Sequence, residues 1–371
     1  MYRRTLMDGI FAINKPSGVT SSNFLTRVNK IFNESEVFKP ALDEIKKELH
    51  RTQPKGYKKK LRQLKVKMGH GGTLDPLASG VLIVGVGSGT KKLGGYLNGS
   101  VKVYEAEALF GGSTTTGDSE GQLLTISGVD HITKEKVELL KKMFVGHLQQ
   151  TPPIFSALKM EGMPLYEYAR RGLPLPRKIE PREVQVYELD LKDDCLSTDH
   201  PYEFLKSEVD EDGTALVDKL SGNPTLNDHK VSFSKEYMEL CNQDESLSRE
   251  CEPLRTVKEL PDGFKAPLLH FTSKVSSGTY IRSLISDMGR AVGSSAYMVK
   301  LIRRNQAEWD LEKNVFDIED FEQDAKIWGP VLAKVFKEGA CVNVKEELAA
   351  LGMNRDAQEH EQKSKRVKVE D

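Results

Sequence analysis

The sequence predicts an α+β fold, and three observations carry that prediction. A nearly unbroken apolar run, Val81 to Val86, is short enough to be a buried strand rather than a helix. Val101–Ala106 and the alternating segment Val184–Leu191 read as further strands. Capped amphipathic helices stand between them. Ser21 or Ser22 caps a helix with Phe24, Val28, Ile31 and Phe32 on its apolar face. Thr133 opens another that carries Val137, Leu140 and Phe144 inward and stops at Gly146.

At 371 residues the chain is long enough for two or three domains and a real core. Hydrophobic residues make up 38% and charged residues 29%, the mixture of a globular protein with solvated segments. No apolar run approaches the roughly 20 residues of a membrane span, so no membrane partner is expected. Cys195, Cys241, Cys251 and Cys341 form no C-x-x-C pair, which predicts free thiols and no zinc site. The net charge of −1 hides an asymmetry. Residues 193–262 hold 18 acidic and 7 basic residues, which leaves 47 basic and 37 acidic for the rest. A basic body with an acidic insert suits a nucleic-acid partner.

The chemistry concentrates in Met68–Leu93, which reads MGHGGTLDPLASGVLIVGVGSGTKKL. Glycines 69, 71 and 72 permit close backbone approach or positive φ. Pro76 extends the backbone of Asp75 and stiffens the loop that carries its carboxylate. Such a carboxylate serves as a helix cap or as a nucleophile. Phosphate-binding loops are excluded. A Walker A loop needs Gly-Lys-Ser/Thr, but Gly89 is followed by Thr90 and then Lys91. The dinucleotide fingerprint fails because Thr90 stands three residues after Gly87 where it requires glycine.

The octapeptide Gly69-His70-Gly71-Gly72-Thr73-Leu74-Asp75-Pro76, followed by Leu77-Ala78-Ser79-Gly80, resembles the catalytic motif of the TruB-type pseudouridine synthases. These enzymes make pseudouridine at position 55, in the T loop of tRNA. Further segments resemble the family in the expected order: Asn14-Lys15-Pro16-Ser17-Gly18, Tyr104, the T-x-T-x-D-x-x-G loop from Thr114 to Gly121, Thr151–Lys159, Leu165–Gly172, Val275–Arg282 and Ile302-Arg303-Arg304. The resemblance covers roughly residues 8–33, 68–192 and 268–320. It implies a pseudouridine synthase fold, a central mixed and mostly antiparallel sheet flanked by helices and loops, with an active-site cleft across it.

The resemblance also implies roles. Asp75 is the catalytic carboxylate, Arg282 orients it, and Tyr280 supports Arg282. Tyr104 stacks on the target base and His70 helps to hold the loop. Lys15, Lys91, Ile302, Arg303 and Arg304 are implied at the substrate, with the first motif supporting the catalytic loop. No cofactor and no metal are expected, because isomerisation needs no redox change or phosphoryl transfer.

The catalytic domain is expected over residues 8–330, with two insertions. The first, 34–67, begins as a helix and ends in Lys55–Lys67, with seven basic residues in thirteen. Lys58, Lys59, Lys60 and Arg62 are its candidate contacts to the RNA backbone. The second, 193–265, is acidic and polar and reads as a partly ordered insertion without catalytic residues. Residues 331–371 read as a helical remainder and charged tail, with no evident RNA-binding PUA domain. The basic run Lys363–Lys368 resembles a nuclear import signal, and the leader Met1–Met7 carries Arg3 and Arg4. Nuclear and mitochondrial sites are expected, with the cytoplasm as the alternative.

The expected substrate is tRNA through its T arm, with mRNAs bearing T-loop-like elements as further targets. A monomer working without guide RNA is expected. Two alternatives are a guide-dependent subunit of the dyskerin type and a tRNA-folding factor without chemistry. Activity on bare transcript separates both from a stand-alone enzyme.

Overall fold

The computed structural model describes residues 7–52, 64–206 and 222–353. They form two compact units: residues up to Ser100 together with those from Arg303 onward, and Val101–Ile302. Helices stand among mostly antiparallel strand pairs, the mixture expected of an α+β protein.

The first unit opens with β1 (Gly9–Lys15) and α1 (Ser21–Glu34). The cap of α1 is Thr20, whose hydroxyl accepts from Asn23 N at 3.2 Å. Ser21 and Ser22 were the expected caps, but the buried Ser21 hydroxyl bonds Leu74 instead. The helix buries Phe24, Val28 and Phe32, three of its four expected core residues. Helix α2 (Lys39–Thr52) is the helical start of the basic insertion. Strands β2 (Met68–His70) and β3 (Ser79–Val86) bracket the glycine loop. Both β1 and β2 pair antiparallel with β3, so β3 is central and its apolar run is buried.

The second unit starts with β4 (Lys102–Phe110), longer than the sequence suggested. A small hairpin follows, β5 (Gly112–Thr114) and β6 (Leu123–Ile126). Helix α3 (Lys134–Phe144) has the expected Thr133 cap and buries Val137, Leu140 and Phe144. Gly146 starts β7 (Gly146–Gln150) at φ +123°, and a Cβ there would lie 2.0 Å from Glu236 Oε2. Then come a two-residue ladder, β8 (Lys159–Met160) with β9 (Met163–Pro164), and helix α4 (Leu165–Arg170). Strand β10 (Arg182–Leu191) pairs with β7 and with β11 (Leu268–Val275), and β11 pairs with β4, all antiparallel.

Between β10 and β11 lies the acidic segment. Its described parts are built into this unit. Helix α5 (Lys235–Leu240) has a fully buried Tyr237, and Ser234 caps it. Phe204 packs edge-on to Tyr297 and Phe264. Helix α6 (Ile281–Ala291) buries nearly every residue, including the expected Ile281, Ile285 and Met288.

Strand β12 (Ala296–Gln306) carries the chain back into the first unit at Arg303. Strand β13 (Trp309–Asp310) pairs with the end of β12, and β14 (Val315–Phe316) runs parallel to β1. Helix α7 (Ala325–Glu338) closes the unit. Phe11, Phe32, Phe316, Phe321 and Trp328 form one aromatic core there, with ring centroids 4.9–6.0 Å apart in the contacting pairs. Such ring pairs add about 0.5–1.5 kcal/mol each beyond burial.

Candidate active site

The glycine loop between β2 and β3 is held from several sides, all within the first unit. Gly71 N donates to Ile83 O at 2.8 Å, and a side chain on Gly71 would come within 2.9 Å of Tyr96 Cβ. Gly80 stands at φ +102°, with space for a Cβ only 2.3 Å from Arg303 O. No other residue type fits there.

The turn Asn14–Gly18 and the start of α1 grip the far half of the loop. The Ser21 hydroxyl donates to Leu74 O and accepts from Leu74 N, both at 2.9 Å. Gly18 N donates to Pro76 O at 2.8 Å, and Ser17 Oγ donates to Leu77 O at 2.6 Å. The Lys15 ammonium is fully buried and donates to Val19 O at 2.6 Å, Pro16 O at 2.8 Å and Pro76 O at 3.3 Å. Asp75 is thus carried between anchored neighbours, its side chain half-buried.

From beneath, Arg303 donates through Nε to Val81 O at 2.7 Å and through Nη2 to Gly72 O at 3.3 Å. Gln306 Nε2 donates to Gly71 O at 2.7 Å and Tyr96 O at 3.0 Å. Burial, reinforced by the positive charge of Arg303, holds the His70 imidazole below its ordinary 6.5, against a backbone hydrogen bond at Gly72 that raises it. His70 is therefore neutral at pH 7. Lys15 and Arg303 were implied at the substrate, yet both cations are buried and turned onto loop carbonyls. Lys91 is exposed at the end of a short 3-10 turn, Ile302 is half-buried, and Arg304 pairs with Glu312 at 2.9 Å. Lys58, Lys59, Lys60 and Arg62 lie outside the described residues. Nearby Lys65 and Lys67 are exposed on either side of the buried Val66.

In the second unit Tyr104 lies on β4 opposite Ser273 and is largely buried. Arg282, in the first turn of α6, is 4% exposed. Its Nη1 donates to Thr116 O at 2.6 Å and its Nη2 to Phe155 O at 2.7 Å, while Nε lies 3.6 Å from Asp118 Oδ2. Asp118 is buried too. Its Oδ1 accepts from Thr116 Oγ1 at 2.5 Å and Glu120 N at 3.1 Å, and Thr114 Oγ1 donates to its carbonyl at 2.7 Å. The T-x-T-x-D loop is thus a self-tied seat for one guanidinium. Asp118 stands out in that spacing, but the sequence assigns it no role because its partner stands over 160 residues away.

Among the described residues, Glu105 and Glu107 on β4 and His270 on β11 form a cluster with metal-ligand chemistry. Protein groups already serve it. Lys300 Nζ and the Tyr202 hydroxyl each donate to Glu107 at 2.6 Å, and His270 Nδ1 lies 2.7 Å from Asp194 Oδ1.

A model of the N-terminal domain of the TruB family pseudouridylate synthases matches residues 58–213. The tRNA pseudouridine synthase 4 of Saccharomyces cerevisiae is 50% identical over 357 residues, covering 92% of this chain and 88% of that protein. The chain belongs to the TruB family of pseudouridine synthases. The Schizosaccharomyces pombe protein of the same name is 38% identical, over 89% of this chain and 86% of its own length. The tRNA pseudouridine synthase B of Geobacter sulfurreducens is 29% identical, over 83% and 67% respectively. For a TruB-family enzyme the two grips acquire a purpose. One immobilises the loop with the motif aspartate, and the other immobilises the motif arginine.

Proposed function

We propose that this protein is a tRNA pseudouridine synthase that converts the uridine at position 55, in the T loop, without guide RNA or cofactor. The observation that carries the proposal is the 50% identity to a tRNA pseudouridine synthase over 92% of the chain. The site geometry supports it: a glycine loop anchored on both sides of Asp75, and an arginine seated on three partners. Because the recognised unit is a T-loop shape, mRNAs that fold into one are further substrates.

In the reaction the N1–C1′ bond of uridine breaks, the base turns, and C5 bonds to the same sugar carbon. The C5 proton is released and N1 gains one, so atoms and charge balance. The target base leaves its stack to be reached. Asp75 acts at C1′, either as the attacking nucleophile or as the anion that stabilises charge developing there. Arg282 acts together with Asp75 in the reaction, the role that the family resemblance implies for it. Its seat on Asp118, Thr116 and Phe155 fixes the direction of the guanidinium. Tyr104 and Ile302 hold the turned base. Lys91 and Arg304 approach the RNA backbone, where the exposed Lys65 and Lys67 add positive charge beside the loop. Lys15 and Arg303 act one step back, as anchors of the loop.

The test is tritium release from unmodified tRNA transcript labelled at uridine C5. One tritium released per transcript, lost when U55 is replaced, is expected. No release by the purified protein on bare transcript refutes the stand-alone activity.

A further inference from the structure

Helix α6, which carries Arg282, starts at a corner with an unusual cap. Its N-cap residue is Tyr280, at φ −102° and ψ 116°, whose own side chain makes no capping hydrogen bond. A tyrosine ring cannot fold back onto the first turn as a serine or aspartate would. The partner comes from elsewhere in the second unit. Tyr280 N donates to Gln150 Oε1 at 2.7 Å, and Gln150 Nε2 donates to Tyr280 O at 3.1 Å.

Gln150 is the last residue of β7 and is 2% exposed. A primary amide carries one acceptor and one donor side by side. It therefore meets the N–H and C=O of one extended residue as a neighbouring strand would. The chain beyond Gln150 continues the grip. Thr151 O accepts from Ser283 Oγ at 3.0 Å, and Phe155 O accepts from Arg282 Nη2 at 2.7 Å. Pro152 and Pro153 between them stiffen this strap. Tyr280, Arg282 and Ser283 are thus all tied to residues 150–155, and the glutamine sets where the helix begins.

We infer that Gln150 is a positioning residue for the isomerisation: its amide fixes the Tyr280 backbone and, through it, the direction in which α6 presents Arg282. This inference rests on the pseudouridine synthase activity proposed above. Gln150 acts through Tyr280 and Arg282 rather than on the substrate. Without the fork a part-buried N–H loses its partner and the first turn is free to shift. A displacement of about 1 Å at a catalytic group costs on the order of 100-fold in rate.

The experiment uses the full-length protein and C5-tritiated tRNA transcript, with the single-turnover rate, the tRNA Kd and thermal unfolding measured for each variant. Gln150→Leu keeps much of the volume and loses both bonds. It is expected to slow the single-turnover rate about 10- to 100-fold. Its tRNA Kd should stay within about 3-fold, because phosphate neutralisation supplies most of the affinity. Gln150→Glu adds a readout that loss of packing alone would not move. The ionised carboxylate accepts from Tyr280 N but has no donor for Tyr280 O, whereas the protonated acid has both. Its rate relative to the wild type at the same pH should therefore rise as pH falls. In an Arg282→Lys background Gln150→Leu should cost less than it does alone, since both changes strike one unit.

A folded Gln150→Leu protein within about 3-fold of the wild-type rate overturns the inference. Fully multiplicative losses in the double variant overturn it too, as does a loss confined to Kd. Should Gln150→Leu fail to fold, the pH profile of Gln150→Glu decides, and a flat ratio is the refuting result. No release by the wild-type protein refutes the activity and the inference together. Normal release by both wild type and Gln150 variants refutes the inference alone.

Discussion

Arg303 offers the sharpest test of how the glycine loop is held. It is 1% exposed and donates to Val81 O at 2.7 Å and Gly72 O at 3.3 Å. Arg303→Met fills much of the same space and donates to neither. Hydrogen bonds from charged groups are worth about 1.5–3 kcal/mol each, and the second here is long, so the pair is worth about 2–4 kcal/mol. The charge itself is costly to bury, and removing it returns part of that cost. The net loss should therefore fall in the lower half of the range, about 2–3 kcal/mol.

The same change acts on His70. Burial and the Arg303 charge hold this imidazole below 6.5, so the folded protein resists protonating it while the unfolded chain does not. A depressed pKa of this kind contributes stability that is complete above pH 6.5 and is lost as pH falls toward the folded value. Removing Arg303 raises the folded pKa toward 6.5 and narrows that window. Arg303→Met should be less stable than the wild type at pH 8, yet lose less from the His70 titration on acidification. Urea unfolding at pH 8 and pH 5, with the His70 ring followed by NMR, measures both effects. A stability change under about 0.5 kcal/mol at pH 8 would refute the hydrogen-bond assignment. An unmoved His70 titration would refute the electrostatic one.

The remaining predictions concern chemistry and the acidic segment. Asp75→Asn should abolish pseudouridine formation with tRNA affinity within a few-fold, because phosphate neutralisation dominates binding; substantial tritium release would remove Asp75 from the chemistry. Tyr104→Phe should preserve stacking and tRNA binding while any step that needs the hydroxyl fails, so unchanged turnover would leave stacking as its whole role. Tyr237→Ala should cost about 3–5 kcal/mol in denaturant unfolding, as for other fully buried aromatics. A cost below about 1 kcal/mol would mean that the segment is an appendage after all.

The long periodic elements were legible because one face of each is buried. The apolar run of β3 and the Val137, Leu140 and Phe144 stripe of α3 are visible in the sequence alone. The α1 cap was misplaced by a residue or two. Thr20, Ser21 and Ser22 are chemically alike, and only the tertiary hydrogen bonds of Ser21 with Leu74 distinguish them. The described parts of the acidic segment carry a related lesson. Their composition signals solvent exposure, yet Tyr237 on α5 is fully buried, Phe204 packs on Tyr297, and Arg290 grips two of their carbonyls. Composition averages away such specific pairings. Seats built from backbone carbonyls, such as that of Arg282, leave little mark in a sequence because any residue type supplies the acceptor.

Acceptors of that kind also govern how the candidate site divides its labour. Motif cations look alike in a sequence whether they meet RNA or protein. Here Lys15 and Arg303 have no exposed charge to offer a phosphate, since each is spent on backbone carbonyls in and around the loop. An irregular loop needs such donors, because its backbone carbonyls have no continuous ladder to pair with and are costly to bury alone. The glycines let the backbone follow an unusual path, and the cations hold it there. Exposed Lys91, Lys65 and Lys67 remain available to neutralise phosphate. Substituting the buried pair should therefore appear first in stability and in the single-turnover rate. Substituting the exposed set should appear in the salt dependence of binding, by about 0.7–0.9 in log–log slope for each phosphate no longer neutralised. An Arg303 variant that changed the salt slope and left stability intact would invert this division.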